Sequence, residues 1–137
     1  MSYIEMKKTV LILSFIVFFA GISLGQSGME IIADMKPHMK SGNAREMTKY
    51  LNDIVEINID GEKGSYSKTQ AEFILRDFFK KYTPSDYQQI HKGSSADNAM
   101  MYTIGKYTFT GGSYRVYIVL KKLRGSYYID TIDFSRE

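Results

Sequence analysis

Two histidines are the side chains of this 137-residue chain best suited to proton transfer near neutral pH. His91 stands just before Gly93, Ser94 and Ser95, near the end of a predicted strand, where a side chain can face the mouth of a cavity. There a histidine acts as a general base or as a hydrogen-bond donor. The competing interpretation is a structural histidine bonded to backbone or solvent. We expect His38, in the first predicted helix, at the surface.

Tyr102 and Phe79 join His91 as candidates for lining a ligand pocket. Tyrosine combines an apolar ring with a polar tip, which suits it to a pocket or a partner surface. Tyrosine is also a favoured strand residue, so sheet packing is the alternative for Tyr102. Phe79 belongs to a Phe-Phe pair on an apolar helix face, where core packing is the alternative.

Metal and thiol chemistry have little support in the sequence. The chain has no cysteine, which removes thiolate metal sites, cysteine nucleophiles and disulfides. Two lone histidines without a carboxylate at ligand spacing do not predict a metal site. The glycines form no phosphate-binding motif. We therefore expect neither a metal nor a cofactor.

The first 25 residues have the pattern of a secretory signal peptide. Lys7 and Lys8 precede an uncharged run, TVLILSFIVFFAGISL, and small residues stand at Ser23 and Gly25. We expect cleavage after Gly25, export to the periplasm or the medium, and membrane contact only during export. The alternative is an uncleaved anchor, although the apolar run is shorter than the ~20 residues that span a bilayer.

Residues 26–137 are the length of a single domain. They carry 16 Lys and Arg (18 less Lys7 and Lys8) and 14 Asp and Glu (15 less Glu5), a net charge of +2. This balance, together with export, argues against a nucleic-acid partner.

Hydrophobic periodicity predicts helices and one strand in the first part of this domain. A helix over residues 29–41 contains Pro37, which we expect to kink or split it. A short helix over 44–51 and a strand over 54–60 follow, with Gly61 and Gly64 in the next turn. The clearest element is a helix over 67–82, in which Ser67 and Gln70 have the spacing of a capping box.

From residue 86 onward the period changes to two, which predicts strands over 87–92, 98–110, 113–123 and 127–134. We expect a bulge at Gly105 and a hairpin turn at Gly111 and Gly112. Helices followed by consecutive strands predict an α+β fold, a curved antiparallel sheet with the N-terminal helices on one face.

The strand over 113–123 has large apolar groups on both faces. Tyr114, Val116, Ile118 and Leu120 alternate with a second set, Arg115, Tyr117 and Val119. A sheet face open to water shows cleaner alternation. One hypothesis is that a second copy of the chain covers the outer face at Arg115, Tyr117 and Val119, which gives a homodimer. The other is that Tyr117 and Val119 are strand-forming residues on an exposed face.

The order of these elements resembles the nuclear transport factor 2-like (cystatin-like) superfamily of cone-shaped α+β domains. More closely, the chain resembles a family of short exported bacterial proteins of unknown function. The matching segments, spread over residues 29–135, are Ser67…Gln70-Ala71, Ile74-Leu75, Phe78-Phe79, His91 to Ser95, Tyr102 to Gly105, Tyr114 to Tyr117, and Tyr128-Ile129…Ile132.

The resemblance implies the cone fold with a cavity between helices and sheet. It implies no reaction, because the superfamily contains isomerases, dehydratases, cyclases, transport factors and non-catalytic binders. Its isomerases use a tyrosine with carboxylic acids in the cavity. Asp130 and Asp133 lie on the last predicted strand, but no residue-by-residue match supports a catalytic assignment.

Two functional hypotheses follow. The first is an exported, non-catalytic binding module for a small apolar molecule or a protein partner. The alternative is an isomerase- or dehydratase-like enzyme with His91 as base and a tyrosine as electrophile. Convergence of polar groups inside the cavity separates the two, because only the enzyme needs it. A third hypothesis is a surface interaction protein that uses the outer sheet face around Tyr117.

Overall fold

The structure is a computed structural model that describes residues 27–137, so the predicted signal segment lies outside the described residues. Its elements run in the order α1 Gly28–Ser41, α2 Ala44–Thr48, β1 Leu51–Ile59, β2 Glu62–Ser67, α3 Lys68–Lys81, β3 Pro84–Ser94, β4 Met100–Phe109, β5 Gly112–Leu123 and β6 Ser126–Arg136. The predicted α+β class is confirmed. No helix within residues 27–137 is long and apolar enough to cross a membrane.

Helix α1 is continuous through Pro37, so of the kink or split expected there the split does not occur. The helix begins at Ser27, whose Oγ accepts a hydrogen bond from the Glu30 amide at 3.2 Å. Proline removes one backbone donor. Met35 and Met39, on either side of Pro37, are both fully buried, so packing against the sheet offsets that loss.

The segment from Thr48 to Ser67 differs from its prediction in two places. Helix α2 ends at Thr48, and Leu51 is instead the first, fully buried residue of β1. Strand β2 was not predicted, because its sequence EKGSYS lacks an alternating apolar face. Gly64 lies within β2, opposite Ile57, and the turn is made by Asp60 and Gly61, both with positive φ.

The six strands form one sheet in the order β2-β1-β6-β5-β4-β3. Every neighbouring pair is antiparallel except β1 and β6, which run parallel. The bulge predicted at Gly105 lies on the neighbouring strand: Gln89 and His91 pair with Gly105 and Ile104, which leaves Ile90 as the extra residue of β3. Gly105 has a different role, since an added Cβ would lie 2.3 Å from the Tyr87 hydroxyl oxygen.

The helices pack on one face of the curved sheet, here called the inner face. α1 contacts β3, β4 and β6, and α3 contacts β1 and β2. Apolar side chains from the helices and the inner face make one core cluster. At its centre the ring of Phe78 lies between 4.1 and 6.1 Å from five other aromatic rings, those of Phe79, Tyr82, Tyr107, Tyr114 and Phe134. Apolar packing therefore fills the centre of the space between the helices and the sheet, where the resemblance implied a cavity.

Candidate functional site

The opposite side of the sheet, here called the outer face, carries an apolar and aromatic cluster on β4 and β5. Its members are Tyr102, Ile104, Tyr117 and Val119, and we call them the outer-face patch. Tyr102 pairs with Val119 and Ile104 with Tyr117 across the two strands. The rings of Tyr102 and Tyr117 lie 6.0 Å apart. Val119 is 6% exposed although it lies outside the core cluster, while Tyr117 is 40% exposed.

His91 adjoins this patch through a hydrogen bond. Its Nε2 lies 2.9 Å from the hydroxyl oxygen of Tyr102, and the two rings are 5.5 Å apart. The bulge at Ile90 creates this contact. Tyr87 and Gln89 pair with inner-face positions, and strict alternation would send His91 inward as well, but the extra residue turns it outward.

Gly93 allows the Tyr102 ring to lie close to β3. A Cβ at Gly93 would stand 2.7 Å from Cε1 of Tyr102, so the Tyr102 ring would have to shift. The glycine therefore leaves room for the Tyr102 ring beside His91.

A small hollow opens at one end of the patch. Its volume is about 240 Å³, and its lining includes Tyr102, Tyr117, Val119, Ser94, Ser95 and Met100. Pockets for drug-sized ligands commonly measure ~300–1,000 Å³. The hollow is thus smaller than the pockets that hold drug-sized ligands, and it has the size for one side chain of a partner.

Charged residues surround the patch unevenly. Lys106 and Arg115 lie directly opposite each other on β4 and β5, and both are exposed. On the other side, Asp133 of β6 pairs with Tyr117 and accepts a hydrogen bond from Asn58 Nδ2 at 2.8 Å. One side of the patch is therefore basic and the other acidic.

The structure brings together only some of the residues that the sequence singled out. Tyr102 meets His91 and also Tyr117. Phe79 lies on the other side of the sheet, 5% exposed in the core. That Phe79, His91 or Tyr102 lines a ligand pocket stays a prediction.

A second depression lies between α3 and the β1–β2 hairpin, and sequence reasoning did not identify it. It measures about 360 Å³ and is lined in part by Ile59, Phe73, Ile74 and Tyr82. Phe73 is 63% exposed. In the sequence, the signal for this depression was that Phe73 is an aromatic residue off the periodic apolar face of α3.

Near this depression a buried tyrosine meets a carboxylate. The hydroxyl of Tyr114 donates a hydrogen bond to Asp60 Oδ2 at 2.9 Å. Burial raises the pKa of Tyr114 above its ordinary value, and hydrogen bonds to Tyr82 and Asp60 act in the same direction. The Arg136 guanidinium lies 5.2–5.8 Å from the ring centres of Tyr82, Phe109 and Tyr114. The Arg136 side chain therefore covers this end of the aromatic core through cation–π contacts.

Within residues 27–137, no three His, Asp or Glu side chains lie close enough together to hold a metal ion.

A protein-family model described as "Domain of unknown function (DUF4783)" matches residues 32–135. No curated protein matches the chain. A crystal structure of a DUF4783 family protein from Bacteroides ovatus is 28% identical, covers 77% of this chain and 94% of that one, and has a TM-score of 0.73. Another, from Bacteroides uniformis, is 25% identical, covers 75% and 94%, and has a TM-score of 0.71.

The fold extends beyond that family. An NTF-2 like protein of unknown function from Silicibacter pomeroyi is 11% identical, covers 80% of this chain and 92% of that one, and has a TM-score of 0.58. Identity this low shows the fold alone. The predicted nuclear transport factor 2-like fold, in a family of unknown function, is confirmed.

Proposed function

The chain belongs to the DUF4783 family of unknown function, and we propose that its domain is a non-catalytic binding module that acts outside the cytoplasm. The outer-face patch holds a protein partner. The observation that carries this proposal is that an exposed Tyr117 and a nearly buried Val119 lie together on a sheet face that no helix within residues 27–137 covers. Such a surface presents rigid aromatic contact area at low entropic cost.

The closely packed centre of the core supports a role for the protein surface over a role for an enclosed cavity. The inner-face residues Tyr107, Tyr114, Val116, Ile118 and Phe134 are all fully buried against the helices. Enclosed small-molecule sites need space together with a few convergent polar groups.

The enzyme alternative has less support. Its proposed base and electrophile, His91 and Tyr102, bond to each other on the outer face, where His91 is exposed to water. General acid–base catalysis gains most from a site that excludes water and fixes the substrate. Their hydrogen bond orients the Tyr102 ring beside the patch, which suits a binding surface.

Export rests on the pattern of residues 1–25. N-terminal sequencing of the protein from its own host tests this part of the proposal. We expect a mature chain that begins at Gln26, because Ser23 and Gly25 are small enough for the peptidase subsites. A chain that begins at Met1 would refute cleavage.

Site-specific photo-crosslinking in the host tests the binding surface. A photoreactive phenylalanine analogue replaces Tyr117 in one variant and Phe73, also exposed but on α3, in the control variant. We expect a defined crosslinked protein from position 117 and much less product from position 73. Equal products from both positions, or none from position 117, would contradict the proposal.

A further inference from the structure

Beyond the proposed function, we infer that the depression between α3 and the β1–β2 hairpin binds a small organic cation, an amine joined to an apolar ring or chain. The depression lies on the helix side of the sheet, so it is independent of any partner on the outer-face patch. Its volume of about 360 Å³ falls within the ~300–1,000 Å³ of pockets that hold small ligands.

The floor and walls of the depression are apolar and are held in place by the core. Phe78 lines it and is only 3% exposed, so its ring forms the floor. Ile59 at the end of β1, Ile74 on α3 and the ring of Tyr82 also line it, and all three pack against the core cluster. A ligand in the depression therefore meets a preformed apolar surface outside the packed core.

Phe73 adds an exposed aromatic ring to the lining. It is 63% exposed, the largest exposed fraction among the large apolar side chains of residues 27–137, and it is not part of the core cluster. Apolar surface left in water costs free energy that a polar side chain at this position would not. A ligand with an apolar ring or chain removes part of that cost when it packs against Phe73.

Two carboxylates without partners determine which charge the depression prefers. Asp77 stands one turn after Phe73 on α3, and Glu62 is the first residue of β2. Among the described residues, neither side chain takes part in a hydrogen bond or an ion pair. The lining also contains Lys81, whose ammonium already lies 5.4 Å from the ring centre of Tyr82. Negative groups therefore outnumber positive ones, and the depression selects a cation.

The other cations of this part of α3 line a neighbouring hollow. Arg76 and Lys80 line that hollow together with Phe73 and Asp77. Arg76 is paired with the Glu72 carboxylate at 2.8 Å, and its guanidinium lies 5.5 Å from the ring centre of Phe73. The Phe73 ring thus already has a cation beside it, which is the kind of contact that an ammonium ligand makes with aromatic rings.

Titrations with three aromatic probes of similar size test the class of ligand. Phenethylamine is positive at neutral pH, phenethyl alcohol is neutral and phenylacetate is negative. With the protein purified from its own host after export, amide-resolved NMR should show saturable shifts at residues 59–62 and 73–82. We expect the amine to bind about fivefold or more tightly than the alcohol, because an ion pair near water contributes about that much, and the acid to bind most weakly.

Single substitutions separate the charges from the apolar surface. Asp77→Asn and Glu62→Gln each remove one carboxylate, so each should weaken the amine about fivefold and leave the alcohol unchanged. Glu30→Gln, in the first turn of α1, is the matched control, because it removes the same charge from an exposed acid outside the depression. It should keep the original affinity. Phe73→Ser should weaken all three probes, and far-UV circular dichroism checks that each variant is folded.

Several results would overturn this inference without touching the proposed function. Equal affinities for amine and acid, or an amine affinity that Asp77→Asn and Glu62→Gln leave unchanged, would contradict the selection of a cation. The absence of saturable shifts at residues 59–62 and 73–82 would rule out the site, as would shifts confined to buried inner-face residues such as Tyr107. The crosslink at position 117 depends on none of these results, so binding at the outer-face patch is tested separately.

Discussion

Removing the hydroxyl of Tyr87 should stabilise this protein. Tyr87 lies on the inner face of β3 and is 6% exposed. Its hydroxyl oxygen is buried and has no hydrogen-bond partner among the described residues. Gly105 makes the space for it, since a Cβ there would lie 2.3 Å from that oxygen. The ring contributes to the core, and the hydroxyl adds a desolvated polar group without a compensating bond.

The expected gain in the free energy of unfolding follows from the burial of the Tyr87 hydroxyl without a hydrogen-bond partner. A buried polar group without a partner costs about 1–3 kcal/mol. Tyr87→Phe keeps the ring and removes the cost, while the void left by one oxygen atom offsets part of the gain. We therefore expect the free energy of unfolding to rise by about 1 kcal/mol or more.

Tyr107→Phe is the matched control. Tyr107 is also buried, but its hydroxyl donates a hydrogen bond to the backbone carbonyl of Tyr82. Loss of that bond should lower the free energy of unfolding by about 1 kcal/mol. Urea unfolding followed by far-UV circular dichroism, with linear extrapolation to water, measures both changes. Two losses of similar size would refute the argument, because they would mean that the Tyr87 hydroxyl also has a favourable contact.

Two further predictions concern the same core. Burial raises the pKa of Tyr87 above its ordinary value, so the contribution of this proton to the free energy of unfolding is complete below about pH 10 and is lost above it, where the unfolded chain releases the proton. Measured by urea unfolding, the decrease in the free energy of unfolding above pH 10 should be about 1.4 kcal/mol per pH unit shallower in Tyr87→Phe. Identical slopes in the two proteins would contradict this. Phe78→Leu should lower the free energy of unfolding by about 1–3 kcal/mol more than Phe79→Leu, because Phe78 contacts five rings and Phe79 contacts two. Equal decreases in the thermal unfolding midpoint of the two variants would count against a special role for the ring cluster.

Helix α3 was predictable because its signals are local. The capping box at Ser67 and Gln70 is formed in the structure: the Ser67 side chain accepts from the Gln70 amide and the Gln70 side chain from the Ser67 amide. The apolar positions Ala71, Leu75 and Phe78 are buried as the period of 3.6 requires. The helix ends within one residue of the predicted position.

Strand β2 was not predictable in the same way. It is an edge strand whose side chains are mostly charged or small, so nothing in its composition distinguishes it from a loop. Pairing with β1, which the chain reaches through Asp60 and Gly61, makes it a strand. The parallel pairing of β1 with β6 likewise joins segments about 75 positions apart, as the contact between Asn58 and Asp133 illustrates.

In the candidate site, too, some residues could be placed from the sequence and others could not. Tyr117 and Val119 could be placed on one face of β5 from alternation alone, and the structure puts both in the outer-face patch. His91 could not be placed, because alternation from Tyr87 points it inward and the bulge at Ile90 turns it outward. Phe79 is separated from both by the sheet itself.

The amino-acid sequence by itself determined the α+β class, the main helix with its cap, and the alternation of β4, β5 and β6. These depend on periods, turns and caps within a few residues of each other. Only the tertiary structure decided that the centre of the core is closely packed, that His91 meets Tyr102 on the outer face, and that basic and acidic strands lie side by side on that face. One inserted residue reverses every side chain after it in a strand, and the order of strands in a sheet depends on contacts between distant segments.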